Sequence, residues 1–235
     1  MVVNSEKCIG CGQCVEVCPL DAITVKDRMA YIDYDICVEC GNCKHSGVCK
    51  VDAIVQQSMT WPRVIRGILS NVRVAAPNTG IQGRGTEEMK TNDVSGRYRP
   101  GMVGIACELG RPSVGTDFRD VEKIAQVLIK HGGHLESDNP MALVFEDLKT
   151  GIVKPEFLDE RVMSVVLEAL FEREALVPLL KDLEQVQIDT VFSLGVASVL
   201  EDGKITTTDL IQQAGYAVRP NGKTCVGLGR PRKEL

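Results

Sequence analysis

The sequence predicts an α+β chain in two unequal parts: a small N-terminal part stapled by cysteines and a larger α/β sandwich behind it. Three observations predict this. Eight of the ten cysteines fall between Cys8 and Cys49. The segment around them holds too few large apolar side chains to fold on a core of its own. From Met102 onward, apolar residues recur with the periods of strands and helices in turn.

Charge and hydropathy narrow the functional classes. The 27 basic and 32 acidic residues leave a formal charge of −5, unevenly spread: net −3 over residues 1–60, +4 over 61–100, −10 over 101–218 and +4 from Arg219 on. This is not the basic stripe that tracks a nucleic-acid backbone, so no nucleic-acid partner is expected. The basic middle segment is placed to meet an acidic partner or an anionic ligand. No apolar run reaches the roughly eighteen residues of a membrane span, and the opening residues hold no apolar export signal. The expected location is the cytoplasm, where clustered cysteines are metal ligands rather than disulfides.

The first cysteine motif is Cys8-Ile-Gly-Cys11-Gly-Gln-Cys14-Val-Glu-Val-Cys18-Pro19, a C-x2-C-x2-C-x3-C-P run. Gly10 and Gly12 let the backbone turn tightly and aim amide groups at sulfur, and Pro19 turns the chain away. The second motif, Cys37-Val-Glu-Cys40-Gly-Asn-Cys43-Lys-His-Ser-Gly-Val-Cys49, repeats the triad but lengthens the last gap to five residues and puts Lys50 where proline would stand. Asp21-Ala22-Ile23 after the first run corresponds to Asp52-Ala53-Ile54 after the second. The segment is an internal duplication carrying two metal-ligand sets. A structural zinc site is the competing chemistry, but it uses two C-x2-C pairs and leaves the third cysteine of each triad and Cys18-Pro19 unexplained. His45, inside the long gap, reads as a solvated loop histidine rather than a ligand.

On these residues, positions 1–58 resemble the two-cluster bacterial-type ferredoxins. The resemblance implies a 2[4Fe-4S] ferredoxin domain and single-electron transfer. It also implies crossed ligation, because in that family the fourth cysteine of each run serves the other cluster. One [4Fe-4S] cluster would take Cys8, Cys11, Cys14 and Cys49, and the other Cys18, Cys37, Cys40 and Cys43. The x5 gap and the missing second proline are departures from the family pattern, so the cluster closed by Cys49 is the one expected to have an altered environment.

Residues 59–101 are expected to form a helix and a Gly/Arg-rich linker loop. In Trp61-Pro62-Arg63-Val-Ile-Arg66-Gly-Ile-Leu69, Pro62 suits a first helical turn, with Ile65, Ile68 and Leu69 on one face. Trp61, the only tryptophan, reads as a packing anchor between the two parts. Residues 77–101 carry almost no apolar periodicity. Arg84, Lys90, Arg97 and Arg99 are spaced there among glycines and hydroxyl or amide side chains, a mixture suited to an anion or a docking partner. The Gly83-Arg84-Gly85 triplet lacks the flanking strand and helix that a dinucleotide fingerprint requires.

Residues 102–235 are expected to form the larger α+β domain, with a docking, regulatory or substrate role. Met102–Leu109 reads as a strand, and 117–130 as a helix with Val121, Ile124, Ala125 and Leu128 on one face. A strand over 141–146 is expected next, followed by a helix over 156–171 and a second helix interrupted by Pro178. A strand over 191–196, a helix over 207–214, and strands at 216–218 and 224–228 complete the reading. The order suggests a split β-α-β arrangement similar to a ferredoxin-like α+β fold. Cys107-Glu-Leu-Gly-Arg111-Pro112 and Cys225-Val-Gly-Leu-Gly-Arg230-Pro231 are related segments; paired in one sheet, Arg111 and Arg230 would line an anion site beside the helix start near Asp117. Otherwise the two cysteines are core residues. His131 and His134 read as a helix C-terminal cap rather than a metal pair.

No Ser-His-Asp order, HExxH, Walker loop or dinucleotide fingerprint occurs. The expected function is therefore an iron–sulfur electron-transfer protein, a subunit of a cytosolic oxidoreductase assembly of anaerobic metabolism, relaying electrons between a donor and a partner enzyme within a hetero-oligomer. The alternatives are a stand-alone iron–sulfur reductase whose C-terminal part binds substrate or flavin, and a redox sensor.

Overall fold

The computed structural model describes residues 1–82, 96–111 and 114–218. Its N-terminal part is built twice. Strands β1 (Val2–Val3) and β4 (Ile54–Val55) pair antiparallel, as do β2 (Ile23–Lys26) and β3 (Met29–Ile32). The start of each copy thus pairs with the end of the other. Asn4 donates its N–H to the Ala53 carbonyl at 2.7 Å, and Asp33 does the same to Ala22 at 2.7 Å. The Asn4 side chain then accepts from the N–H groups of Glu6 and Lys7, and the Asp33 side chain from those of Asp35 and Ile36. Each is a short polar side chain closing a turn that would otherwise leave amides unpaired. The turn delivers Cys8 in one copy and Cys37 in the other, both bonded back to the turn residue's carbonyl at 3.0 Å.

The two extra residues of the second copy are absorbed by α1 (Asn42–His45) and a turn in which Gly47 has φ 72°. Lys50, where the first copy has Pro19, donates through Nζ to the Gly47 carbonyl at 3.1 Å. The small core of this part sets Cys14, Cys37 and Cys43 beside Met1, Ala22, Ile23, Ala30 and Ile54.

Helix α2 (Val64–Ser70) follows the cis Trp61–Pro62 peptide, so Pro62 lies before the helix rather than in its first turn. Ile65 and Leu69 are buried in the larger part's core, with Ile68 packed against it. Trp61 stands edge-on to Phe157 with ring centroids 4.8 Å apart, yet 59 % of its surface is exposed.

The larger part is organised on β5 (Met102–Leu109), α3 (Phe118–Lys130), β7 (His134–Leu135), β11 (Val165–Glu172), α4 (Leu176–Leu183) and β12 (Phe192–Ala197). Short antiparallel pairs β6 (Thr116–Asp117) with β10 (Arg161–Val162), and β8 (Phe145–Asp147) with β9 (Ile152–Val153), lie between these elements. The main sheet has the order β12-β5-β11-β7, and every neighbouring pair is antiparallel. Asp117 caps α3 by accepting from the Asp120 N–H at 2.9 Å. Phe118, Val121, Ile124, Ala125 and Leu128 are all 0 % exposed. At about 1.5–3 kcal/mol for each of the four larger side chains, that face rather than helix propensity holds α3 in place. Helix α5 (Thr208–Gln213) closes the described chain.

Several further expectations fail here. The helix expected over 156–171 is a 3₁₀ turn at Pro155–Phe157 followed by the strands β10 and β11. Val165, Leu167, Ala169 and Phe171 face the core, but Val166 and Glu168 on the other face are also buried, so burial on both faces erased the two-residue alternation that marks a strand. The strand expected over 141–146 begins as a 3₁₀ turn, Pro140–Leu143, because Asn139 accepts from the Met141 N–H at 2.8 Å and Pro140 fits a first turn. Residues 216–218 form no strand; segment 224–228, with Cys225 and Arg230, lies outside the described residues. Pro178 sits in the first turns of an unbroken α4, and His131 caps α3 while bonding Asp182 at 2.9 Å.

Candidate metal centres

Each copy folds its cysteine triad into a loop of left-handed turns. Gly12 and Gly41 follow the second cysteine of each triad with φ near 76°, and Asp21 and Asp52 follow the last cysteine of each run with φ 52° and 50°. The position between the first two cysteines is also left-handed in both copies, but its occupants differ: Gly10 at φ 67° and Glu39 at φ 56°. A Cβ on Gly10 would lie 2.3 Å from the Arg28 backbone, so only glycine fits there. The second copy has room for Glu39, at a cost of about 1–2 kcal/mol for a non-glycine residue in that region.

These turns gather the eight cysteines into two sets. Cys8, Cys11, Cys14 and Cys49 line one cavity. Cys18, Cys37, Cys40 and Cys43 line a second. The sets are the crossed ones, because the last cysteine of each run is carried across by the exchanged strand. Backbone amides reach the sulfurs: Ala22 N–H to Cys18 at 3.3 Å, Ala53 N–H to Cys49 at 3.2 Å and Ala30 N–H to Cys8 at 3.4 Å. Cys49, expected to sit in an altered environment, holds the same amide contact as Cys18 despite the longer gap.

The donor chemistry fits a multinuclear cluster. The nine cysteines among the described residues are all free. A zinc ion would need its four donors about 2–2.3 Å from a single point. The thiols instead surround a volume. Burial pushes the Cys43 thiol up to about 12, helped by the facing Cys40, Cys37 and Cys18. Burial likewise raises Cys14, with Cys11, Cys49 and Cys8 adding to it, and Cys40, with Cys37 and Cys18 adding. Thiols raised in this way keep their protons unless a bound cation takes the protons' place, and cluster ligation would release them.

Sequence reasoning missed the charges that join the second set to the rest of the chain. Glu39 is 1 % exposed and accepts from Arg63 Nε at 3.0 Å and Nη2 at 2.7 Å, as well as from the Met1 amino group. Burial pushes its carboxyl up, but the bonds from Met1 and Arg63 outweigh burial and hold it below its usual value. The Arg63 guanidinium also lies 3.4 Å from the centroid of the Tyr34 ring. Arg66 pairs through Nε with Glu160 and donates through Nη1 to the carbonyls of Tyr34, Asp35 and Cys37 at 3.3, 2.9 and 3.0 Å. The signal available in the sequence was the one charged residue standing where the other copy has Gly10.

The other candidate contacts scatter. Arg97 pairs with Glu136 and Asp138 beside β7, Arg99 is exposed with a long contact to the Gly96 carbonyl, and Arg111 pairs with Glu108 at 2.9 Å. The strand β5 lies between Arg99 and Arg111; its eight residues span roughly 25 Å, so the Arg97–Arg99 pair and Arg111 do not converge on one small anion. Arg84, Lys90 and Arg230 lie outside the described residues. His45 is exposed, and no helix among the described residues is long and apolar enough to cross a membrane.

A duplicated fold whose core is two thiol-lined cavities with amides aimed at sulfur defines an iron–sulfur protein. Residues 1–24 match the family of 4Fe-4S binding domains. A Ferredoxin 7Fe of Hydrogenibacillus schlegelii is 46 % identical over 57 residues, 23 % of this chain and 70 % of the relative. A ferredoxin-like protein in the vnf region of Azotobacter chroococcum is 37 % identical over 59 residues, 24 % of this chain and 91 % of the relative. A coenzyme F420-dependent sulfite reductase of Methanocaldococcus jannaschii is 51 % identical over 34 residues, 14 % of this chain and 6 % of the relative. Through this N-terminal stretch the chain belongs to the ferredoxins and is an iron–sulfur electron carrier. No solved structure matches it.

Proposed function

We propose that the chain carries two [4Fe-4S] clusters, one held by Cys8, Cys11, Cys14 and Cys49 and the other by Cys18, Cys37, Cys40 and Cys43, and relays single electrons to a partner oxidoreductase in the cytoplasm. The observation that carries this reading is the pair of cavities, each walled by four cysteines drawn crosswise from the two runs. A cluster of this kind takes up and gives back one electron with little ligand movement. The chain's own part is to fix four thiolates around each cavity, aim the Ala22, Ala30 and Ala53 amides at sulfur, and exclude water with Ile23, Ile32 and Ile54.

The functional division is 1–58 for the cluster domain, 59–101 for the helix and linker, and 102–235 for a docking or regulatory domain. The β-α-β-β-α-β order of β5, α3, β7, β11, α4 and β12, with the first and third strands adjacent, supports a split β-α-β plan for the last of these. The match to a segment of a sulfite reductase supports a reductase as the kind of enzyme such a module serves. Anaerobic purification from the source cells is expected to bring down an oxidoreductase whose substrate bleaches or restores the cluster absorbance of this chain. A flavin spectrum on the isolated chain, with substrate turnover and no second protein, would instead make it a stand-alone reductase.

A further inference from the structure

Resting on that two-cluster reading, we propose that Arg63 and Arg66 are positioning residues that raise the reduction potential of the Cys18, Cys37, Cys40 and Cys43 site. They thereby bias the shared electron toward the end of the relay that faces the larger domain. The geometry is specific to one copy. Arg63 Nη2 and Arg66 Nη1 both donate to the Cys37 carbonyl, at 3.2 and 3.0 Å. Among the described residues no arginine donates to the equivalent Cys8 carbonyl.

Both guanidinium groups are nearly dry, with side chains 8 % exposed, so their field reaches the cluster cavity with little screening by solvent or salt. Adding an electron makes a four-thiolate cluster more negative, and burial opposes that. Positive charge and polarised peptide groups at a ligand favour it. Hydrogen bonds from two cations to the carbonyl of Cys37 withdraw electron density from a ligand residue's own peptide. Glu39 and Glu160 offset part of this charge, and they also fix where the arginines stand.

The arrangement also ties tuning to architecture. Arg66 reaches back to Tyr34, Asp35 and Cys37 and outward to Glu160, while Ser70, at the end of the same helix, accepts from the Met163 N–H at 3.0 Å. The helix that carries the charges is therefore the one seated on the larger domain. An electron drawn to this site sits beside the surface where that domain could pass it on.

The test is a potentiometric titration of the anaerobic full-length protein, followed by electron paramagnetic resonance, with iron content measured on every sample. Arg63→Gln and Arg66→Gln are expected to lower the potential of one cluster and leave the other unmoved, changing the electron's partition between them by about tenfold or more, at 59 mV per tenfold for one electron. Arg66→Lys should restore most of the shift. Glu160→Gln, which removes the counter-charge, should raise the same potential. If the glutamine variants of Arg66 and Glu160 shift it in the same direction, or if none shifts it, the arginines merely support the fold and the proposal is overturned. If an arginine variant loses iron, the opposite sign expected of Glu160→Gln still decides. Iron for only one cluster in the unaltered protein would sink the two-cluster reading instead, which is a separate outcome.

Discussion

The two copies of the cysteine motif share their left-handed turns, their strand pairing and the amide contact to the last cysteine, and they part at the residue between the first two cysteines. Gly10 sits against the Arg28 backbone with no room for a side chain, while Glu39 occupies the same left-handed turn and reaches Arg63. The first copy packs on its own neighbours. The second, through Glu39, becomes the anchor for helix α2 and the domain beyond it. A duplication can thus keep its metal chemistry and still give its halves different roles, provided the change falls on a residue that makes the turn without ligating.

The largest effect should come from Gly10→Ala. A methyl group 2.3 Å from backbone atoms cannot be accommodated by a side-chain shift, so the loop carrying Cys8 and Cys11 should open and one cluster's iron be lost on purification. Glu39→Ala keeps the second loop's backbone geometry but strands Arg63 in a buried site. Removing one partner of such a pair costs about 3–5 kcal/mol, visible as a lower denaturant midpoint; a midpoint within 1 kcal/mol, at roughly unchanged slope, would show the anchor to be idle.

Ile124→Ala, in the larger core, should cost about 2–5 kcal/mol while leaving iron content and visible absorbance unchanged, because that core shares no residue with the one that holds Cys14, Cys37 and Cys43. Iron loss in that variant would break the separation of the two cores. The smallest and most discriminating pair is Asn4→Ala and Asp33→Ala. Each removes the side chain that closes one copy's turn, so each should lose about 1 kcal/mol, and matched losses in chemical denaturation would confirm that the copies remain equivalent there.

Much of the candidate site was legible in the sequence, because cluster ligation depends on spacing, and eight cysteines in two runs state that spacing directly. The amphipathic face of α3 was legible for a similar reason, since Val121, Ile124, Ala125 and Leu128 recur at helical intervals against one core. β11 was not, because a strand buried on both faces loses the alternation that identifies it. The Glu39 anchor was harder to see: its buried ion pair joins residues 24 positions apart, and only the mismatch with Gly10 in the other copy marked it. The five-residue gap leaves the Ala53 amide on Cys49, since a single helical turn and Gly47 take up the insertion away from the cavity that Cys49 lines.

Two clusters closed by crossed cysteines are what the chain is expected to hold. Iron and acid-labile sulfide measured on anaerobically purified protein test it most directly, alongside Cys49→Ser and Cys18→Ser. About eight of each per chain are expected, from two four-iron clusters. Cys49→Ser should damage the cluster that contains Cys8, and Cys18→Ser the one that contains Cys37, each reported by its own resonance signal. A total near four, one zinc in place of iron, or damage falling on the cluster of the same run would contradict it.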